Sequence, residues 1–211
     1  MNKTVISPLT LGVLEKVSEQ APLKKSLERL FKETLPPISN AFGAESAAAW
    51  LVAKDNERLY VFASYNIKAA FTRFFRKREN QPRLGDGIVG SVLAKRKAIV
   101  EHNVLNSKNV PEHWKAFIRS GGISFHTLLA LPLLVEGKKV VGVLNLYFRD
   151  QRIFTKEELR ALNIIAAQLG GKIENQTYYK NLQENKAELQ EERGQLAGLQ
   201  QATQFLSITA G

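Results

Sequence analysis

No cysteine occurs among the 211 residues of the chain. That absence excludes disulfides, thiolate metal sites, cysteine nucleophiles and thioether attachment of a chromophore. Long apolar runs are missing too: no window reaches the roughly 18 to 20 unbroken apolar residues of a membrane span. The opening stretch MNKTVISPLTLG lacks the apolar centre of a secretory signal. A cytoplasmic protein is the expectation from these absences. Acidic residues are in deficit, 20 against 30 Lys and Arg, which gives a formal charge of +10. His102, His113 and His126 are too scattered for a recognised metal spacing, so no metal site is expected. No acid–base or nucleophilic constellation stands out, so a non-enzymatic role is expected, and no motif names a cofactor.

Hydrophobic residues make up 44% of the chain, enough for one domain with a sizeable core plus extra helix at its ends. The basic excess is local. Lys68, Arg73, Arg76, Lys77, Arg78 and Arg83 crowd one segment, and Lys95, Arg96 and Lys97 follow. Such a patch suits an anionic ligand, an acidic protein face or nucleic acid. No nucleic-acid motif accompanies it, and nucleic acid is the least favoured of the three.

Periodicity predicts a short helix from Pro8 to about Gln20. A second helix from Pro22 carries Leu23, Leu27, Leu30, Phe31 and Leu35, and Pro36-Pro37 is expected to break or kink it. Ser46–Val52 and Arg58–Tyr65 read as strands joined by the polar turn Lys54-Asp55-Asn56-Glu57. Ile67–Gln81, with Phe71, Phe74 and Phe75 among arginines, reads as an amphipathic helix or a mobile segment. Gly85-Asp86-Gly87 reads as a tight turn before a helix ending near Lys95. Ala98–His102 reads as a strand, and Pro111 opens a short helix through Trp114, Phe117 and Ile118 to Gly121-Gly122.

Two apolar runs, Thr127–Val135 and Val140–Phe148, flank Glu136-Gly137-Lys138 and predict an antiparallel hairpin. Thr155 is a candidate N-cap, with Glu157 and Glu158 in the first turn of the helix it opens. That helix is expected to run to about Gln204. Leu182, Leu189 and Leu196 recur every seven residues along it, but Asn185 and Glu192 occupy the second seam, and Gly194 and Gly198 lower helix propensity. A weak parallel coiled coil and a single frayed helix both fit.

Several segments resemble the GAF domain family in order and spacing. They are Leu27–Val52 as opening helix and first strand, Gly85-Asp86-Gly87-Ile88-Val89-Gly90 as a G-x-G-(I/L)-x-G turn, Leu131-Pro132-Leu133, Gly142-Val143-Leu144, and Phe154-Thr155 with Glu158-Leu159. The resemblance covers about Leu23–Asn175. It implies an α+β fold: a GAF-like antiparallel sheet with helices on one face, a flanking N-terminal helix and a long C-terminal helix. The expected organisation is residues 1–22 as a helical extension, 23–175 as the sensory domain and 176–211 as a signalling helix.

The resemblance also implies a ligand cleft between the sheet, the Ile67–Gln81 segment and the loops around 103–125. Trp50, Phe71, Arg73, Phe74, Arg76, Phe125, His126 and Asn145 are the candidate ligand-binding residues. In the sharp reading Arg73 and Arg76 clamp a carboxylate or phosphate while Phe71 and Phe74 cover its apolar part. In the plain reading the arginines are solvated and the phenylalanines are core. Asn145 stands out because a buried amide needs partners. Family members that hold bilins covalently or reduce methionine sulfoxide need Cys, which is absent. The extended N-K-x-F-x-x-D-E signature of cyclic-nucleotide members is matched only by Arg149-Asp150, Phe154 and Glu157-Glu158, which disfavours that ligand.

The resemblance further implies a small-molecule or anionic ligand, a homodimer paired through terminal helices, and a downstream effector. Gln204–Ala210 resembles the lead-in to the phosphoacceptor helix of sensor histidine kinases, without the His. The alternative expectation is a ligand-free scaffold that acts through dimerisation and its basic face.

Overall fold

The computed structural model describes residues 12, 13, 15, 17, 27–122, 125–136 and 139–209. Helix α1 (Leu27–Phe42) places Phe31, Leu35 and Ile38 at intervals of three and four, and all three are buried. It runs through Pro36 and Pro37, where a break or a kink is expected, without a break. Each proline removes a helical N–H. Burial of Leu35, Ile38 and Phe42, at about 1.5 to 3 kcal/mol per large side chain, outweighs that loss. Of the helix expected over Pro8–Gln20, only residues 12, 13, 15 and 17 are described; they are helical, and Val13 and Val17 are buried.

Strands β1 (Ser46–Val52) and β2 (Leu59–Tyr65) form the first hairpin. In its turn the Asp55 carboxylate accepts from the N–H groups of Glu57 and Arg58 and from Arg58 Nε. The Glu57 N–H is the largest influence, ahead of the Arg58 guanidinium, and together they hold the Asp55 carboxyl down to about 2. Helix α2 (Ala69–Arg76), helix α3 (Gly87–Lys95), the three-residue strand β3 (Ile99–Glu101) and helix α4 (Glu112–Phe117) follow. Helix α4 runs into a π-helical turn, Ile118–Gly122.

Strands β4 (Thr127–Leu134) and β5 (Val140–Phe148) make the second hairpin, and α5 (Lys156–Thr209) closes the described chain. The sheet order is β2-β1-β5-β4-β3, antiparallel throughout. Side chains alternate between its faces. Ala47, Ala49, Leu51, Leu129, Leu131, Leu133, Leu144 and Leu146 meet α1 and the first turns of α5, through Leu162, Ile165 and Leu169. The other face carries Ala48, Trp50, Leu128, Ala130, Val143 and Tyr147 beneath α2, α3 and α4. The long helices therefore cover one face, and the face on which the resemblance places a cleft has a roof of three short helices.

Two compact units emerge from the contacts, Met1–Ile173 and Glu174–Gly211. The second is helical as far as Thr209, with Tyr178, Leu182, Leu189 and Leu196 exposed.

Candidate functional site

The alternation of β5 puts Asn145 and Tyr147 on the roofed face. Asn145 lies in register with Ala48 of β1 and Ala130 of β4. Both neighbours carry only a methyl group, so neither adjoining strand raises a large side chain beside the amide. Trp50 comes from β1, and α2 supplies Phe71 and Phe75, one helical turn apart on the same face. Trp114 reaches in from α4 and Phe125 from just before β4. These side chains surround a cavity of about 50 Å³, further lined by Ile88 and Val89 of α3.

Aromatic rings nearly fill the space. Trp50 meets Phe75 edge-on at 5.1 Å between centroids, Phe75 meets Trp114 at 5.4 Å, and Phe125 meets Tyr147 at 4.9 Å. Such edge-to-face pairs contribute about 0.5–1.5 kcal/mol each beyond area burial. Outside them Phe74 of α2 and Phe117 of α4 stack face to face, 4.2 Å apart and 13° from parallel. That stack clasps the two helices together.

The Gly85-Asp86-Gly87 turn has a structural use here. Gly87 holds φ at +59°, and a Cβ there would stand 2.3 Å from the Trp114 ring. The missing side chain is what lets Trp114 lie against the start of α3. Gly90 is as tightly placed, since a Cβ would meet the Arg83 carbonyl oxygen at 1.9 Å.

The polar groups of the cavity are few and deeply buried. Asn145 Nδ2 donates to the Tyr147 hydroxyl at 3.1 Å. Asn145 Oδ1, Trp50 Nε1 and Trp114 Nε1 have no hydrogen-bond partner. Their residues are only 1%, 2% and 7% exposed. An unmatched buried polar atom costs about 1–3 kcal/mol, so three of them on residues that line one cavity form a poor core. Burial pushes the Tyr147 phenol up to about 12. The Asn145 hydrogen bond opposes that rise, as does the nearby Trp50 indole, whose N–H falls outside hydrogen-bond geometry. The phenol is therefore neutral at physiological pH. Among the described residues, no Asp, Glu, His, Lys or Arg lines the cavity.

The expected site residues divide accordingly. Trp50, Phe71, Phe125 and Asn145 come together around the cavity, while Phe74 packs behind it in the clasp. Arg73 and Arg76 are exposed, on the side of α2 opposite Phe71 and Phe75. His126 is exposed as well, and its backbone N–H donates to Phe148. None of these three lines the cavity. The clamp of Arg73 and Arg76 over a buried anion is thus not the arrangement the helix adopts; its inward face is set by the i, i+4 phenylalanines. Phe75 and Trp114 were missed as site residues. The four-residue spacing of Phe75 from Phe71 was the available signal for the first, and Trp114 carried none beyond its place in a short apolar helix.

Two wider grooves lie elsewhere. One of about 530 Å³ runs past Gly43, Glu45, Arg149 and Arg152, whose charges are paired as Arg149–Glu45 and Arg152–Glu158. The other, about 490 Å³, lies between α1 and the edge strand β2. Among the described residues, no three His, Asp or Glu side chains gather to hold a metal. No described helix is long and apolar enough to cross a membrane.

Comparison with known proteins fits this geometry. No curated protein matches the chain. Among solved structures it is similar to the GAF domain of a phosphoenolpyruvate-protein phosphotransferase from Coxiella burnetii, with 15% identity and a TM-score of 0.68, over 83% of this chain and 99% of that one. It is similar to the free methionine-R-sulfoxide reductase of Neisseria meningitidis in complex with its substrate, with 14% identity and a TM-score of 0.61, over 85% and 98%. It is also similar to a domain of a putative two-component sensor histidine kinase from Sinorhizobium meliloti, with 18% identity and a TM-score of 0.56, over 75% and 99%. At such identities the likeness speaks for the fold. The model of the GAF domain matches residues 24–174. With the five-stranded sheet and its two layers of helix, that match settles the family: the chain belongs to the GAF domain family.

Proposed function

We propose that the chain is a regulatory sensor module whose roofed cavity takes a small molecule and whose long C-terminal helix passes the ligand state to an effector. The observation that carries this reading is the cluster of unmatched polar atoms, Trp50 Nε1, Trp114 Nε1 and Asn145 Oδ1, around one cavity in an otherwise apolar layer. A cavity whose described wall has the neutral Tyr147 phenol as its one titratable group, in a chain with no Cys, supports binding rather than turnover. The mechanism is a population shift: ligand favours one packing of α2 and α4 on the sheet, and the preferred packing biases the terminal helices. A homodimer paired along those helices would bring two outputs together. A histidine kinase effector is supported by the sensor-kinase neighbour and by the Gln204–Ala210 resemblance.

The second reading is a ligand-free scaffold that acts through dimerisation and its basic face. The near-filled cavity of about 50 Å³ favours it. Native mass spectrometry of the purified chain, compared with its denatured mass, separates the two. A discrete added mass lost on denaturation is expected for the sensor. A preparation that stays ligand-free, even after incubation with a metabolite extract, would sink the sensor reading in favour of the scaffold.

A further inference from the structure

The polar atoms around the cavity define the chemistry of an occupant, not merely its presence. Indole N–H groups only donate, so Trp50 and Trp114 require an acceptor atom. Asn145 Oδ1 only accepts, and its amide is oriented by the Nδ2 bond to Tyr147. An occupant that satisfies both kinds of group must offer a donor and an acceptor close together. It must also be uncharged. Among the described residues no cation lines the cavity, and Arg73 and Arg76 are exposed on the far side of α2. A carboxylate or phosphate placed there would lose its hydration without gaining a counter-ion, which costs several kcal/mol. The remaining wall is ring and aliphatic surface, suited to an apolar, planar body.

We infer that the cavity binds a small uncharged aromatic molecule bearing a hydroxyl or carboxamide, read by Trp50, Trp114 and Asn145. This rests on the sensor reading of the same cavity and fixes the class of ligand. It also names the moving part. A space of about 50 Å³ holds one or two waters but not a ring. Admission of a ring therefore requires α2 and α4 to separate, and the Phe74–Phe117 stack is the contact that resists it. Ligand binding and loosening of that clasp are one event.

Trp50 and Trp114 are the only tryptophans in the chain, so its two indole Nε1–H signals in a 1H–15N spectrum report on this cavity alone. The full chain is titrated with phenol, with anisole, which lacks the donor, and with benzoate, which carries the charge. Phenol is expected to shift both indole signals saturably, with anisole and benzoate each at least about tenfold weaker, the scale of one hydrogen bond or more. Asn145→Leu is expected to bring phenol affinity down to that of anisole. Phe117→Ala, which opens the clasp at a half-buried position, is expected to tighten phenol binding. Benzoate binding at the indoles as tightly as phenol would overturn the uncharged class and leave the sensor reading standing. Anisole binding as well as phenol would overturn the role of Asn145 as acceptor, and with it the donor requirement. Indole signals unmoved by all three probes, in the natural chain and in Phe117→Ala, would overturn the inference, while the native mass spectrum decides the sensor reading on its own.

Discussion

At the scale of single residues, Tyr147 has the most measurable consequence. Its hydroxyl is buried, and burial pushes the phenol to about 12, against about 10 for an exposed tyrosine. Between those values the unfolded chain has lost the proton while the folded chain retains it. Stability from this group is therefore complete below pH 10 and drains away as pH rises through 12. The loss should reach ~2 kcal/mol at the upper end of that window. Urea unfolding between pH 9 and 12 measures it, and Tyr147→Phe should flatten the curve by about that amount. Tyr60, also raised by burial, leaves a residual slope in the same direction. A Tyr147→Phe curve as steep as that of the natural chain would mean that the hydroxyl reaches water more readily than its burial implies. Below pH 10 the same substitution removes the acceptor of Asn145 Nδ2, so it should cost stability even where no proton is released.

At the scale of elements, the start of α5 is the best-defined junction. Thr155 Oγ1 accepts from the Glu158 N–H at 3.1 Å, and Glu158 Oε2 accepts from the Thr155 N–H at 2.9 Å, a reciprocal capping box. The other Glu158 oxygen takes the Arg152 guanidinium at 2.6 Å, and that guanidinium lies 5.3 Å from the ring centres of both Phe148 and Phe154. One carboxylate thus caps the helix and ties it to the end of β5. Thr155→Ala should cost about 1 kcal/mol, the usual value for a lost N-cap. Glu158→Ala should cost more, because a partly buried Arg152 also loses its partner. Urea denaturation with helix circular dichroism reads both, and equal costs would show that the Arg152 contact contributes nothing. This junction was legible in the sequence because a cap depends on residues three positions apart. The β4–β5 hairpin was legible for the same reason, since its two apolar runs and short turn are local patterns. The cavity was only half legible. Which side of α2 faces the sheet is decided by tertiary packing, and the dense charge of Arg73 and Arg76 drew attention to its outer side. No break falls at Pro36-Pro37, because local propensity is outweighed by what α1 buries.

At the scale of the whole molecule, the open question is what the terminal helix does with its apolar residues. Leu182, Leu189 and Leu196 are 51%, 58% and 60% exposed, an unusual repeated expense on a helix otherwise rich in Glu, Gln and Asn. Their seven-residue spacing puts them on one stripe, which a second copy of the same helix would cover in parallel register. Asn185 and Glu192 interrupt the second seam, so the pairing should be weak and set by concentration. Weak pairing suits a switch, because a ligand that shifts the packing of α2 and α4 by a few kcal/mol can then tip the balance between paired and separate helices. Sedimentation velocity across a hundredfold range of concentration should show a monomer–dimer equilibrium. Leu189→Glu, at an exposed position that leaves the sheet and its two helical layers untouched, should move it to monomer with an unchanged near-ultraviolet spectrum. A natural chain that stays monomeric throughout that range would leave the stripe without a partner of its own kind. Transmission through paired helices would then fall, and the effector itself would have to supply the covering surface.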